Sequence, residues 1–259
     1  MEINDLNSEN IFDKLKQYLE DSSMDSFHIL EEEIDINEQM AYFDFSKDYK
    51  ENVNEEEVVA HMDNLFSATA TIDDKKVLLV KLASVNKVEA FRAIERYCKM
   101  PDQELSNWAK LAWHESRMLL ESKLLDQNQI FISTGLGGKA DKLRYFFVIF
   151  PTGLPFTDLQ QKIIEKEFQY ILLKNESVVE ELVFHEKFAT LMVLIPITTS
   201  IKPIFMEALE ECNQLGEFIK SDFIVTNVKR LNEEEIIAIA SKQQNETEDP
   251  LDLPDIDSN

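Results

Sequence analysis

Three of the five glycines in this 259-residue chain fall in one stretch, GLGGKADK at residues 135–142. Glycines let a backbone approach a ligand closely, and Lys139, Lys142 and the following Arg144 would attract a phosphate or carboxylate. The stretch is not a GxxxxGK[ST] phosphate loop, because it has no GK[ST]. Nor is it a GxGxxG dinucleotide fingerprint, because the apolar run after it, LRYFFVIF at 143–150, reads as a strand where that fingerprint needs a helix. A second anion-friendly group is Thr198, Thr199, Ser200 and Lys202, at the start of a predicted helix whose first NH groups are open. The candidate ligand-binding residues are therefore Gly135, Gly137, Gly138, Lys139, Lys142, Thr198, Thr199, Ser200 and Lys202. The competing reading is a plain hairpin loop beside a solvated helix cap.

Other chemistry is sparse. The four histidines, His28, His61, His114 and His185, lie in different predicted elements without HExxH or ligand spacing, so no metal site is expected. No GxSxG occurs, and no Ser/His/Asp arrangement can be proposed. The carboxylate runs 31–33, 55–57 and 233–235 suit solvated faces and helix N-termini, where acids complement the macrodipole. Trp108 and Trp113 read as core residues. Cys98 and Cys212 lack a CxxC or neighbouring-histidine context and read as free buried thiols of a reducing cytoplasm. No catalytic residue and no cofactor is expected.

The elements that would position a site come from a unit that occurs twice. Residues 147–167 (FVIFPTGLPFTDLQQKIIEKE) and 192–212 (MVLIPITTSIKPIFMEALEEC) align at a shift of 45 without a gap. Val148 falls on Val193, Phe150 on Ile195, Pro151 on Pro196 and Ile164 on Leu209. The same shift lays 178–183 over 223–228. Each copy is a buried strand stopped by proline, a turn, an amphipathic helix and a second strand. Thr157 with Gln160 should cap the first helix; Pro203 should sit in the first turn of the second, and Gly216 should end it. A βαββαβ order with similar halves resembles the ferredoxin-like sandwich, with both helices on one sheet face. In that topology the glycine loop and the turn at 198–202 share one end of the sheet. The other face would be covered by a buried helix carrying the tryptophans or by a second subunit. One strand does not fit: residues 129–133 read as extended, yet the first strand of such a sheet already has two neighbours.

Upstream, the pattern is helical. Asn54 with Glu57 reads as a cap, Asp73 or Asp74 as a second, and Asn86 with Glu89 as a third; Met100-Pro101-Asp102 breaks the third helix from a fourth that runs to about Leu125. That fourth helix is apolar on most sides, which predicts burial between layers. The passage NKVEAFRAIERYCKMPDQELSNWAKLAWHES resembles HEAT-type helical hairpins. The resemblance spans about residues 54–125 and implies a binding surface.

The net charge of −24 is concentrated at the ends. Residues 1–57 hold 18 acids and 4 bases, whereas 58–145 are nearly balanced. Such a surface repels a phosphate backbone and argues against general nucleic-acid binding. No apolar run reaches membrane-spanning length, and MEINDLNSEN has no signal-peptide character.

The expected fold class is α+β, an N-terminal helical segment packed with a C-terminal ferredoxin-like sandwich. The expected divisions are 1–52, an acidic and partly disordered arm with a short helix at 11–19; 53–127, a helical HEAT-like domain; 128–241, a ferredoxin-like domain; and 242–259, a disordered acidic tail. The functional expectation is a non-enzymatic, cytoplasmic adaptor that binds another protein, basic in character, or pairs with itself through the sheet face. The alternative is a sensor for a small anionic ligand at 135–142 and 198–202.

Overall fold

The computed structural model describes residues 26–51, 53–126, 129–153 and 155–247. The fold is mixed helix and sheet, as expected. It divides into two compact units, one holding described residues 26–144 with 194–200, the other 145–193 with 201–247.

The first unit runs β1 (Ser26–Ile29), α1 (Ile36–Tyr49), α2 (Glu55–Ala60), a 3-10 turn (Met62–Phe66), α3 (Ile72–Ala83), α4 (Val88–Lys99), a second 3-10 turn (Gln103–Leu105), α5 (Ser106–Leu125), β2 (Gln129–Ile132) and β3 (Gly138–Lys139). Its core joins Leu65, Leu79, Leu82, Ile94, Leu105 and Leu111, all fully buried. The acidic segment expected to be a partly disordered arm belongs to this core over residues 26–51. Leu30, Ile34 and Tyr42 are at most 1% exposed. The acids do not prevent this, because the apolar residues share one side and the polar backbone is satisfied. Asp35 caps α1 by accepting from the Asn37 amide, and the buried Gln39 side chain donates to the Ile34 and Thr134 carbonyls. The helix expected at 11–19 lies outside the described residues.

β1 also resolves the misfit strand. β2 pairs in parallel with β1, Ser26 to Gln129 through Ile29 to Ile132, as a separate two-stranded sheet. The capping expectations divide. Asn54 caps α2 as read, but α3 begins one turn earlier, where Thr71 and Asp74 form a reciprocal capping box. α4 starts at Val88 without a side-chain cap. α5 is buried through Trp108, Ala109, Leu111, Ala112, His114 and Ser116, but its end emerges, with Leu124 79% exposed. Burial between layers therefore holds only for its first half.

Most of the repeat lies in the second unit, with residues 194–200 of its second copy in the first. Strands β4 (Lys142–Pro151), β5 (Val178–Phe184), β6 (Ala189–Pro196) and β7 (Ile219–Thr226) take the order β7-β4-β6-β5, the ferredoxin-like arrangement, and β3 adds two residues against the start of β4. α6 (Asp158–Lys174) and α7 (Ile201–Asn213) pack together. Phe147 of β4 stacks on Phe205 of α7 at 3.8 Å and lies 6.0 Å from Phe168 of α6, which fixes the helix-covered face. Thr157 and Gln160 form the expected capping box. β6 is buried at every position, as a strand covered on both faces must be. α8 (Glu233–Thr247) packs on β7 with Ile236 buried and extends past the expected stop at 241; residues 248–259, expected to be a disordered tail, lie outside the described residues. Among the described residues no helix is long and apolar enough to cross a membrane.

Candidate functional site

Eight of the nine residues expected to hold an anion lie in the first unit. Gly135, Gly137 and Gly138 are buried. Gly137 has φ +65°, and a Cβ there would stand 2.5 Å from the Glu32 carbonyl oxygen and 2.6 Å from that of Glu31. A Cβ on Gly138 would stand 2.2 Å from the Lys142 carbonyl oxygen and 2.7 Å from the Ile29 side chain. The close approach these glycines permit is therefore to the protein's own backbone. Arg144, expected to attract a ligand, donates to the Leu136 carbonyl at 2.7 Å and closes the same loop. Lys139 and Thr198 are exposed, Thr199 and Ser200 half-buried, and Lys142 lies 3.5 Å from Asp141. The loop does meet the later turn at one point, where the Ile197 amide donates to the Asp141 carbonyl. Lys202 falls in the second unit.

What the glycine loop supports is chemically richer than the loop. The segment pressed against Gly137 ends in Glu32, whose carboxylate accepts from Nε2 of His114 at 2.6 Å. His114 is 2% exposed, on the buried side of α5. Its Nδ1 lies 2.8 Å from Nε2 of His28, so the two rings share one hydrogen bond whose direction is set by their tautomers. The three groups form a chain, carboxylate to imidazole to imidazole, spanning the 29–32 segment, α5 and β1. Aromatic rings wall it: Phe131 of β2 stacks on His28 at 6.0 Å, and Trp113 meets His114 edge-on at 4.8 Å.

The electrostatics follow from this placement. The hydrogen bond from His114 holds the Glu32 carboxyl below its ordinary range against the opposing cost of burial. His28 lies below its ordinary value of 6.5, first because it is half-buried, then because of the charges of His114 and Arg117; Glu121 and Glu31 oppose the shift. His28 is therefore held as neutral imidazole.

Two other networks in this unit have a different character. Asp102 accepts from Lys75 Nζ and from the Tyr97 hydroxyl, both at 2.6 Å. Glu115 accepts from the Tyr42 hydroxyl at 2.7 Å and pairs with Lys50. Among the described residues no three His, Cys, Asp or Glu side chains form a metal-ligand set.

The sequence reading missed the chain because 86 residues separate His28 from His114 and 82 separate Glu32 from His114. One signal was present: a histidine within a helix predicted to be buried must find a partner.

No protein-family model matches this amino-acid sequence, and no curated protein matches it. Among solved structures, a REP-associated tyrosine transposase bound to a REP hairpin aligns at 8% identity over 40% of this chain and 70% of its own, with a TM-score of 0.31. A Deinococcus radiodurans R1 protein named as a transposase aligns at 13% identity over 42% of this chain and 93% of its own, also at 0.31. Both neighbours are named as enzymes of one kind, and one is bound to a REP hairpin. They run against three expectations from the sequence: a non-catalytic adaptor, the absence of enzymatic activity, and a protein partner with nucleic acid disfavoured. None of the three is kept. At this TM-score the likeness assigns neither transposase chemistry nor nucleic-acid binding to the chain.

Proposed function

We propose that the Glu32–His114–His28 chain is a proton-transfer site and that His28 is the general base of an enzyme. The observation that carries the reading is the continuous hydrogen-bonded chain ending in a neutral, half-buried imidazole. When His28 Nδ1 takes a proton from a water or a substrate hydroxyl, its Nε2 proton passes to His114 Nδ1. His114 then donates from both ring nitrogens, to His28 and to Glu32, as an imidazolium beside a carboxylate. Every hydrogen bond survives, and one proton is stored. A base oriented by a second group, itself oriented by a third, is the arrangement general-base catalysis requires.

Helices α3 to α5, which carry His114, we read as HEAT-like hairpins serving as the rigid support. We place the protein in a reducing, cytoplasmic setting. Burial pushes the Cys98 and Cys212 thiols to about 11 and about 12, so both are protonated and inert at neutral pH.

Long-range proton–nitrogen NMR of the histidine rings tests the proton arrangement. The expected result is His28 protonated on Nε2 and bare on Nδ1 at neutral pH, with His114 protonated on Nε2. A proton on His28 Nδ1 under the same conditions would end the reading. A turnover screen with ester and phosphoester substrates completes the test: any activity found should fall roughly 10²–10⁴-fold in His28→Gln, and an activity unchanged in that variant counts against it equally.

A further inference from the structure

We infer that Arg117 docks an anionic group, a phosphate or a carboxylate, of the substrate on which His28 acts. This rests on the reading of His28 as a base and adds the class of molecule it serves.

Lys110, His114, Arg117 and Glu121 follow one another at spacings of four, three and four, so they share one face of α5. Arg117 is half-exposed, and its Nε donates to Glu121 Oε1 at 2.7 Å. Its guanidinium lies over the Trp113 ring, 5.5 Å from the centroid. Nε and the stacking face are therefore occupied, while the terminal nitrogens meet no partner among the described residues. A planar fork fixed at its base and open at its tip suits two oxygens of one anion. Arg117 stands three residues after His114 on α5, and His114 is bonded to His28, so fork and base share one neighbourhood. Lys110 forms no ion pair among the described residues and adds a second cation on the same face. Three carboxylates face the site. Glu32 is taken by His114 and Glu121 by Arg117, which leaves Glu31 as the opposing charge. Its backbone carbonyl is packed against Gly137, which holds that stretch of chain in place.

Arg117 holds the anion, and its charge adds to burial and to His114 in lowering His28.

The test is a titration of the full chain with inorganic phosphate, and separately with acetate, followed by NMR of the Arg117 Nε–H and the His28 ring. At least one anion should move both signals saturably, and the arm that saturates identifies the class. In Arg117→Gln the apparent affinity should weaken about tenfold or more, and Arg117→Lys should retain part of it. Two results overturn the inference: neither anion moves the Arg117 signal, or both variants bind as the unaltered protein does. Either result leaves the His28 tautomer where the previous experiment found it. A proton on His28 Nδ1, by contrast, removes the base reading whatever the anion does.

Discussion

Two three-membered polar networks in the helical unit, built from similar materials, differ in how they end. Lys75, Asp102 and Tyr97 form a closed set. The Lys75 side chain is 8% exposed, its ammonium and the Tyr97 hydroxyl both point at one carboxylate oxygen, and the Asp102 amide is bonded to the same hydroxyl. Glu32, His114 and His28 form an open set, anchored at the carboxylate and buried at the centre, but finished by His28 Nδ1, which meets no partner among the described residues. Burial and satisfied hydrogen bonds belong to both networks and do not mark a site. What separates them is an unspent lone pair at a half-buried end.

If that distinction is sound, the largest effect should be His28→Gln, and it should divide sharply between properties. Proton transfer falls by roughly 10²–10⁴-fold, while stability changes by only about 1 kcal/mol, the scale of one hydrogen bond. Turnover and urea denaturation on the same preparation measure both. A variant that loses several kcal/mol with its activity would make the open network structural, like the closed one.

The closed network should show the reverse. Asp102→Ala leaves the Lys75 ammonium buried without a counter-charge and the Tyr97 hydroxyl without an acceptor. The expected loss is roughly 1–3 kcal/mol in a denaturant titration. Material that still folds should keep His28 in its tautomer.

A third substitution joins the two halves of the contrast. Gly137→Ala places a methyl 2.5 Å from the Glu32 carbonyl oxygen at φ +65°. It should cost roughly 2 kcal/mol from left-handed strain and overpacking, and the displaced Glu32 should weaken its bond to His114. The His114 Nε2–H resonance reports this directly. If that resonance stays put while stability falls, the glycine loop supports the fold and not the relay.

Much of the fold was legible before the structure, because the repeat is a local signal. Two copies of strand, proline, turn and amphipathic helix specify the sheet order and its helix-covered face. Thr157 and Gln160 could be read as a cap because capping acts over three residues. The site was legible only in fragments. GLGGKADK drew attention for a sound reason, that glycines permit close approach, but what approaches is the 31–32 backbone. Ligand and self-packing make the same demand on a chain, and spacing cannot tell them apart. Likewise His28 and Glu32 sit in a segment whose acids suggested a solvated arm. Their burial depends on Leu30, Ile34 and Tyr42 meeting a core built much later in the chain. His114 offered one clue, a polar ring in a helix predicted to be buried, but its partners lay beyond any local window.

The smallest expected effect is on pH. His28 has a depressed value in the fold, so the unfolded chain binds more protons than the folded chain as pH falls below 6.5. Its contribution to stability is fully present above that value and is lost as pH falls toward the folded one. Glu32 is also depressed, by the bond from His114, so its contribution is lost at lower pH, below the ordinary 4.5. Two separate steps should follow. Between pH 7 and 5 the unaltered protein loses stability, and His28→Gln removes most of that slope. Below pH 4.5 the slope should persist in His28→Gln and shrink in Glu32→Gln. Each step should amount to about 1 kcal/mol or less, since neither group is fully buried. Asp102, also depressed and bonded first by Lys75, titrates only in the acid range and contributes nothing between pH 7 and 5. A slope in the upper window that survives His28→Gln would mean that the open network is not what senses the proton.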